Sequence, residues 1–377
     1  MRRASLIVVA VCTLGWASAC ATAAPERDAL GPWSLVEVRP DTTDGIRVLV
    51  LHDMEGLSDQ SDPQSFEFGT PQYAGGQELL AADVNAVIAG LFAGGATEVH
   101  VVDGHGSGNP DPDVRADLLD PRATQVLRDS SFDTYFDLVA PGAYDAVAVV
   151  GMHAKTGSGG FASHTFTLGI GFAIDGQLVT ETELVGLSWG RVEVPVIFGS
   201  GDDRLAADLA TLPWIEFVTV KRAVGADSAV PRPVAEARAD LTAGAQRAVE
   251  NFRGGRARAM RPPAPLRVGV KAVPPANLAP LEGLPGLTWA DSTATYEVDS
   301  LRPGYDVLVA LVRNATRGYA SQLQRAVREQ RNGAAILAQF DRNLMRTWFD
   351  YESGRWTAPA GNASAPADPG RKFHGYR

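Results

Sequence analysis

The sequence predicts an α/β fold, a mainly parallel sheet with flanking helices plus a smaller α+β second domain, on three observations. Strand-like and helix-like segments alternate after residue 45, the pattern of a parallel sheet covered by helices. Ala146-Val-Ala-Val-Val150 is nearly uninterrupted in small and β-branched residues, as a strand buried on both faces requires. Acidic or glycine-rich turns follow three of the strand-like runs, at Asp53-Met-Glu55-Gly56, Asp103-Gly-His105-Gly106 and Gly151-Met-His153. In an α/β sheet the side chains just past the carboxyl ends of parallel strands converge on one crevice, where ligands usually bind.

Residues 1–23 read as a signal peptide: Met1-Arg2-Arg3 precedes a short apolar run from Leu6 to Leu14, and Ala17-Ser-Ala19 and Ala21-Thr-Ala23 offer small residues for cleavage. The run is too short to span a bilayer as a stable anchor. Export to a periplasmic or extracellular location is expected, and an alternative reading of Ala17-Ser-Ala-Cys20 makes Cys20 a lipid-anchored first residue. Both cysteines, Cys12 and Cys20, lie in this segment, so the remainder has no disulfide. A formal net charge of −10 argues against nucleic acid as a partner.

A polar linker is expected over 24–45, and a metal-binding α/β catalytic domain over 46–260. Ile46–His52, Glu98–Val102 and Ala146–Val150 are its first strands, and Gln77–Phe92, stopping at Gly94-Gly95, supplies a crossover helix. Phe172–Val179 reads as a hairpin turning at Asp175-Gly176, and Glu181–Trp189 as a helix. Val194–Phe198 and Glu216–Val220 are further strands, and Pro233–Arg253 a long surface helix. The runs Leu266–Lys271, Ala294–Val298 and Asp306–Val312 are assigned to the smaller α+β domain at 261–312, followed by a helical extension over 313–350 and a disordered tail over 351–377.

Asp53 and Glu55 project to one side of an extended backbone, because side chains alternate with a period of two. Together they can share one metal, or Asp53 can bridge two; a lone Asp more often caps a helix or satisfies a turn. The same alternation turns His52 away, to a packed position, and His100 inside its strand is read as a core residue. His105, between Gly104 and Gly106, and His153, after a buried strand, fall at the same sheet edge as the two acids. Asp, Glu and two His converging there point to a divalent-metal site. His164 follows the glycine-rich stretch Thr156–Ser163, which lacks the lysine and spacing of a phosphate loop; it is read as an active-site loop carrying His164 to substrate, with a plain turn as the alternative. Asp202-Asp203 either contacts a substrate ammonium or forms the turn that starts the next helix.

These motifs, in this order, resemble the bacterial zinc-dependent D-aminopeptidases of the DppA type: Asp53-Met-Glu55-Gly56, Asp103-x-His105, His153-Ala154 leading to Ser163-His164, Val179-Thr-Glu181, and Gly201-Asp-Asp-Arg204, over roughly residues 46–312. The resemblance implies that Asp53, Glu55, His105, His153 and Glu181 are ligands of a two-zinc centre and that His164 is the catalytic histidine. It implies a metallo-aminopeptidase that removes N-terminal residues such as D-alanine from short peptides through a metal-activated water, in a homo-oligomer. The chain departs from the family at His52, at the glycines flanking His105, at the exported N-terminus and beyond about residue 313. Two other readings fit the same motifs: another metal-dependent amidohydrolase or phosphoesterase, and a non-catalytic envelope peptide-binding protein.

Overall fold

The computed structural model describes residues 31–41, 43–109, 111–127, 133–273, 278, 281–290, 292–316 and 325–357. In chain order, β1 (Ser34–Glu37) and β2 (Arg47–His52) precede a 3-10 turn (Pro63–Phe66) and α1 (Tyr73–Gly94). β3 (Glu98–Asp103), β4 (Thr124–Gln125), β5 (Ala146–Val150), the hairpin β6 (Ile170–Ile174) and β7 (Gln177–Leu178), and α2 (Glu181–Gly190) follow. Next come β8 (Val196–Asp202), α3 (Asp203–Asp208), β9 (Glu216–Gly225), β10 (Ser228–Pro231), α4 (Val234–Arg253) and β11 (Arg258–Arg261). The chain continues through β12 (Leu266–Ala272), β13 (Thr288–Ala290), β14 (Thr293–Val298), α5 (Leu301–Thr316) and α6 (Gly333–Glu352).

The fold is α/β, as expected. Seven strands form the main sheet in the order β10-β9-β8-β5-β2-β3-β4, with every pair parallel except β9 and β10. After β2 the chain adds β3 and β4 on one side, then crosses to place β5 on the other. That change of direction at β2 marks the crevice where ligands bind in such sheets. Register brings the carboxyl ends level: His52 stands opposite Asp103 on one neighbour and Val150 on the other.

The pleat divides the core. Val48 and Val50 belong to one buried cluster with Leu80, Val84, Leu241 and Val249 of α1 and α4. Leu49 and Leu51 belong to the other, with Leu184 and Val185 of α2 and residues of the second sheet. α1 and α4 approach closely because Gly90 leaves room: a Cβ there would lie 2.1 Å from the Thr242 carbonyl oxygen.

Several boundaries differ from expectation. The segment read as a linker contains β1, which pairs antiparallel with β11, and its Trp33 is buried. The smaller part is a five-stranded antiparallel sheet in the order β13-β14-β12-β6-β7, so it takes its hairpin from residues 170–178 and shares a core with the main sheet. Asp175 and Gly176 both have positive φ, at 47° and 88°, as a tight hairpin turn requires. Finally, Asp306–Val312 lies inside helix α5. Leu301, Tyr305, Leu308 and Val312 are buried at helical spacing, and that period outweighs the strand-like run of valine and leucine. The tail expected to be disordered from 351 begins inside α6, and its Ser353 and Arg355 are hydrogen-bonded to Ala226 and Asp227; its part beyond residue 357 and the expected signal segment, including Cys20, lie outside the described residues. Among the described residues no helix is long and apolar enough to cross a membrane.

Candidate metal centre

The turn after β2 sets the first two acids. Asp53 donates its N–H to the Val150 carbonyl at 2.8 Å and Gly56 donates to Gly151 at 2.7 Å, which ties the turn to the end of β5. Only glycine fits at 56, since a Cβ would stand 1.9 Å from the Met152 carbonyl oxygen. Asp53 and Glu55 are both buried and their carboxylates turn to the same side, as the alternation predicts: His105 Nδ1 lies 2.8 Å from Asp53 Oδ1 and 3.2 Å from Glu55 Oε2.

His105 is held by its own turn. Its N–H donates to Asp103 Oδ1 at 2.9 Å, while Asp103 Oδ2 accepts from Asp113 N–H at 2.8 Å. His105 Nε2 lies 3.0 Å from the Phe66 carbonyl. A carbonyl only accepts, so Nε2 carries a proton and Nδ1 is the nitrogen offered to the carboxylates. His153, at the end of β5, follows the same logic with the nitrogens exchanged. Its Nδ1 lies 3.0 Å from the Ala154 carbonyl, and its Nε2 lies 3.3 Å from Asp53 Oδ2 and 3.6 Å from Glu181 Oε1 without a hydrogen-bond partner.

Glu181 opens α2. Thr180 caps that helix in a reciprocal box with Glu183, which fixes the direction in which the first residue leaves the helix. The buried Glu181 carboxylate accepts from the Tyr135 hydroxyl and, at 2.6 Å, from the Phe166 N–H. Phe166 has φ 64°, costly for an aromatic residue, and this conformation accompanies that bond. His164 comes in on the glycine-rich loop. Its N–H donates to Ala154 at 3.1 Å, its Nδ1 lies 2.7 Å from the Ala162 carbonyl, and its ring stacks on His153 at 3.9 Å between centroids.

All six residues singled out from the sequence or the resemblance therefore meet in one place. Ligand-type atoms cluster in three overlapping groups: Asp53, Glu55 and His105; Asp53, His153 and Glu181; Glu55, His153 and His164. The electrostatics are those of a site short of positive charge. Burial pushes Glu55 up to about 7, and the adjacent Asp53 carboxylate adds to this. Burial raises Glu181 as well. Burial alone would lower His153, but Glu181 and Asp53 outweigh it and bring it up to about 10. His105 is likewise raised by Glu55 and Asp53 against the effect of burial. His164 goes the other way, down to about 3, through burial and the neighbouring His153, and is a neutral imidazole.

The remaining candidates separate from the centre. His52 is fully buried with its pKa lowered by burial to about 4, and it packs beside the turn. His100 is half-buried, with its nitrogens 2.8 Å from the Tyr144 hydroxyl and 2.7 Å from Glu98. Asp202 caps α3 by accepting from Arg204 and Leu205 N–H groups and also holds Phe161 N–H at 2.8 Å, so the turn reading applies to it. Asp203 accepts from Ala223 N–H at 2.7 Å. Tyr135 and Lys221 were not signalled by the sequence. Lys221 is buried, donates to the Glu55 carbonyl and to Gln60 Oε1, and lies 4.1 Å over the Phe161 ring. Its only trace is a single lysine just after the run Glu216–Val220, which reads as an exposed position.

A cleft of 260 Å³ opens onto Glu55, His105 and His164 and is otherwise walled mainly by apolar side chains. A larger hollow of 570 Å³ near Gly31–Ser34 and Pro263–Pro265 has one carboxylate, Asp175, and none of this chemistry.

Comparison with known proteins agrees with this geometry. A D-aminopeptidase of Bacillus subtilis strain 168 is 30% identical over 176 residues, which span 46% of this chain and 62% of that protein. The solved structure described as the Zn-dependent D-aminopeptidase DppA from Bacillus subtilis, a self-compartmentalizing protease, superposes with a TM-score of 0.65 at 23% identity. That superposition covers 73% of this chain and 99% of the other, and supports the fold. The model of the D-aminopeptidase family, peptidase M55, matches residues 46–309, and the chain belongs to that family.

Proposed function

We propose that the protein is a zinc-dependent metallo-aminopeptidase that removes N-terminal residues, D-alanine among them, from short peptides. The observation that carries the reading is the buried centre itself: three carboxylates faced by His105 Nδ1 and His153 Nε2, in a chain of the D-aminopeptidase family. Buried charges need partners, and a buried His153 Nε2 without one, beside Asp53 and Glu181, is the donor set zinc accepts. Asp53, Glu55, His105, His153 and Glu181 would hold the metal. Asp53, Glu55 and His153 each belong to two of the three ligand groups, so the five residues could hold two ions.

Bound zinc supplies a Lewis acid that activates water and polarises the scissile carbonyl. The chain's own residues do the rest. Carbonyls of Phe66 and Ala154 fix the tautomers of His105 and His153, and Tyr135 with the Phe166 N–H aims Glu181. His164 has Nδ1–H committed to the Ala162 carbonyl, so Nε2 holds the lone pair that would accept a proton from water; held down near 3, the ring would keep that proton only transiently before passing it to the leaving amine. Its place in a ligand-type group with Glu55 and His153 supports a second reading, in which it binds metal instead.

Export through residues 1–23 and assembly into a homo-oligomer belong to the same proposal. The first rests on the basic start and apolar run, the second on the self-compartmentalizing relative. Purified protein supplied with zinc should hydrolyse D-alanyl amides and short peptides from their free amino end, and chelation should stop it. Cleavage of a phosphodiester instead, or of none of these, would overturn the reading.

A further inference from the structure

Helix α6 lies beyond residue 309, where the family match ends, yet it forms part of the site. Its Met345 and Phe349 line the cleft that opens onto Glu55, His105 and His164. Trp348 covers Gly169 so closely that a Cβ there would stand 2.1 Å from the indole ring. At the helix end, the Glu352 carboxylate accepts from the Gly157 N–H, at 3.1 and 2.9 Å to its two oxygens, and from the Ser163 hydroxyl at 3.2 Å. Ser353 Oγ accepts from the Ala226 N–H at 2.8 Å, and Arg355 pairs with Asp227 at 2.8 Å. These partners sit on the glycine-rich loop that leads to His164 and on the turn between β9 and β10. The helix is therefore seated on the loops that border the cleft.

We propose that α6 is a substrate-selecting wall of this site. Met345 and Phe349, together with Phe66, Phe166 and Leu168, form a subsite for an uncharged apolar side chain next to the scissile bond, and Glu352 latches the wall to the His164 loop. The residues around the cleft include two glutamates but no lysine or arginine, so an acidic side chain is disfavoured beside Glu67. An apolar subsite of this kind discriminates side chains by roughly 10- to 200-fold. The inference rests on the aminopeptidase reading and goes beyond it, because the wall comes from outside the family segment.

The test uses the full chain with D-alanyl-D-leucine, D-leucyl-D-alanine and D-alanyl-D-alanine. In the unaltered protein the better leucine dipeptide should exceed D-alanyl-D-alanine in kcat/KM by roughly tenfold or more. Met345→Ala and Phe349→Ala should each reduce that ratio at least about threefold, by removing part of the apolar surface. Met345→Glu, which leaves Trp348 and Phe349 in place, should abolish the leucine preference and improve a lysine-containing dipeptide. Calorimetric binding of the same dipeptides to the metal-free protein gives a readout independent of turnover: leucine should bind more tightly than alanine, and Met345→Glu should erase the difference. Activity with an unchanged ratio in all three variants would overturn the wall and leave the aminopeptidase reading standing. Absence of turnover with a leucine preference in binding would do the reverse.

Discussion

The carboxyl edge of the parallel sheet and helix α6 meet in one cleft and bring opposite properties to it. The sheet edge brings buried charge: Asp53, Glu55, His105 and His153 sit at or just past strand ends whose backbones are locked in register. Helix α6 brings Met345 and Phe349, held through a few side-chain and backbone bonds to two loops. The two regions divide the labour. Reacting groups must be placed within fractions of an ångström, which strand ends in a sheet can do. Selection of a side chain needs only apolar surface of the right shape, which an added helix can supply without disturbing the centre.

Substitutions on the edge and on the helix should separate these two roles. The largest effect is expected from Asp53→Asn, which weakens the carboxylate shared by two ligand groups. Hydrolysis should be abolished and bound zinc should fall, as elemental analysis would read. Gly56→Ala comes next. A Cβ 1.9 Å from the Met152 oxygen forces the turn to move, and stability should fall by about 3 kcal/mol in denaturant unfolding. Tyr135→Phe removes a donor to the proposed ligand Glu181 and leaves all five proposed ligands unchanged. Zinc affinity should drop about 10- to 100-fold, measured by competition with a chelator. The smallest effect falls on the helix: Glu352→Gln should cost about 1 kcal/mol of stability and leave zinc stoichiometry alone. If Glu352→Gln lost zinc while Tyr135→Phe did not, the division between edge and wall would be wrong.

The sheet edge is legible in the sequence for a physical reason. Buried parallel strands leave apolar runs, and the first polar residues after them must lie at the crevice, so the sequence alone places Asp53, Glu55, His105 and His153 together. Glu181 enters through the family resemblance alone, since a glutamate opening a helix after a hairpin looks like an ordinary cap. Tyr135 leaves no signal, because it sits in a turn without periodicity and acts through one hydroxyl. The run Asp306–Val312 carries strand-like residues, and its helical period emerges only with Leu301 and Tyr305 included. Helix α6 is readable as a helix, but the pattern of apolar residues on one face says nothing about which surface that face meets. Its contact with the cleft depends on the three-dimensional arrangement.

His164 separates a zinc centre with a dedicated proton carrier from one in which that histidine binds the metal. The most direct measurement is zinc per chain in His164→Ala, taken beside its rate on a D-alanyl amide. The variant should hold the same zinc as the unaltered protein, about two ions per chain, with a rate lower by about 10²- to 10⁴-fold. Loss of an ion in that variant, or full activity with the metal retained, would contradict the proton-carrier role.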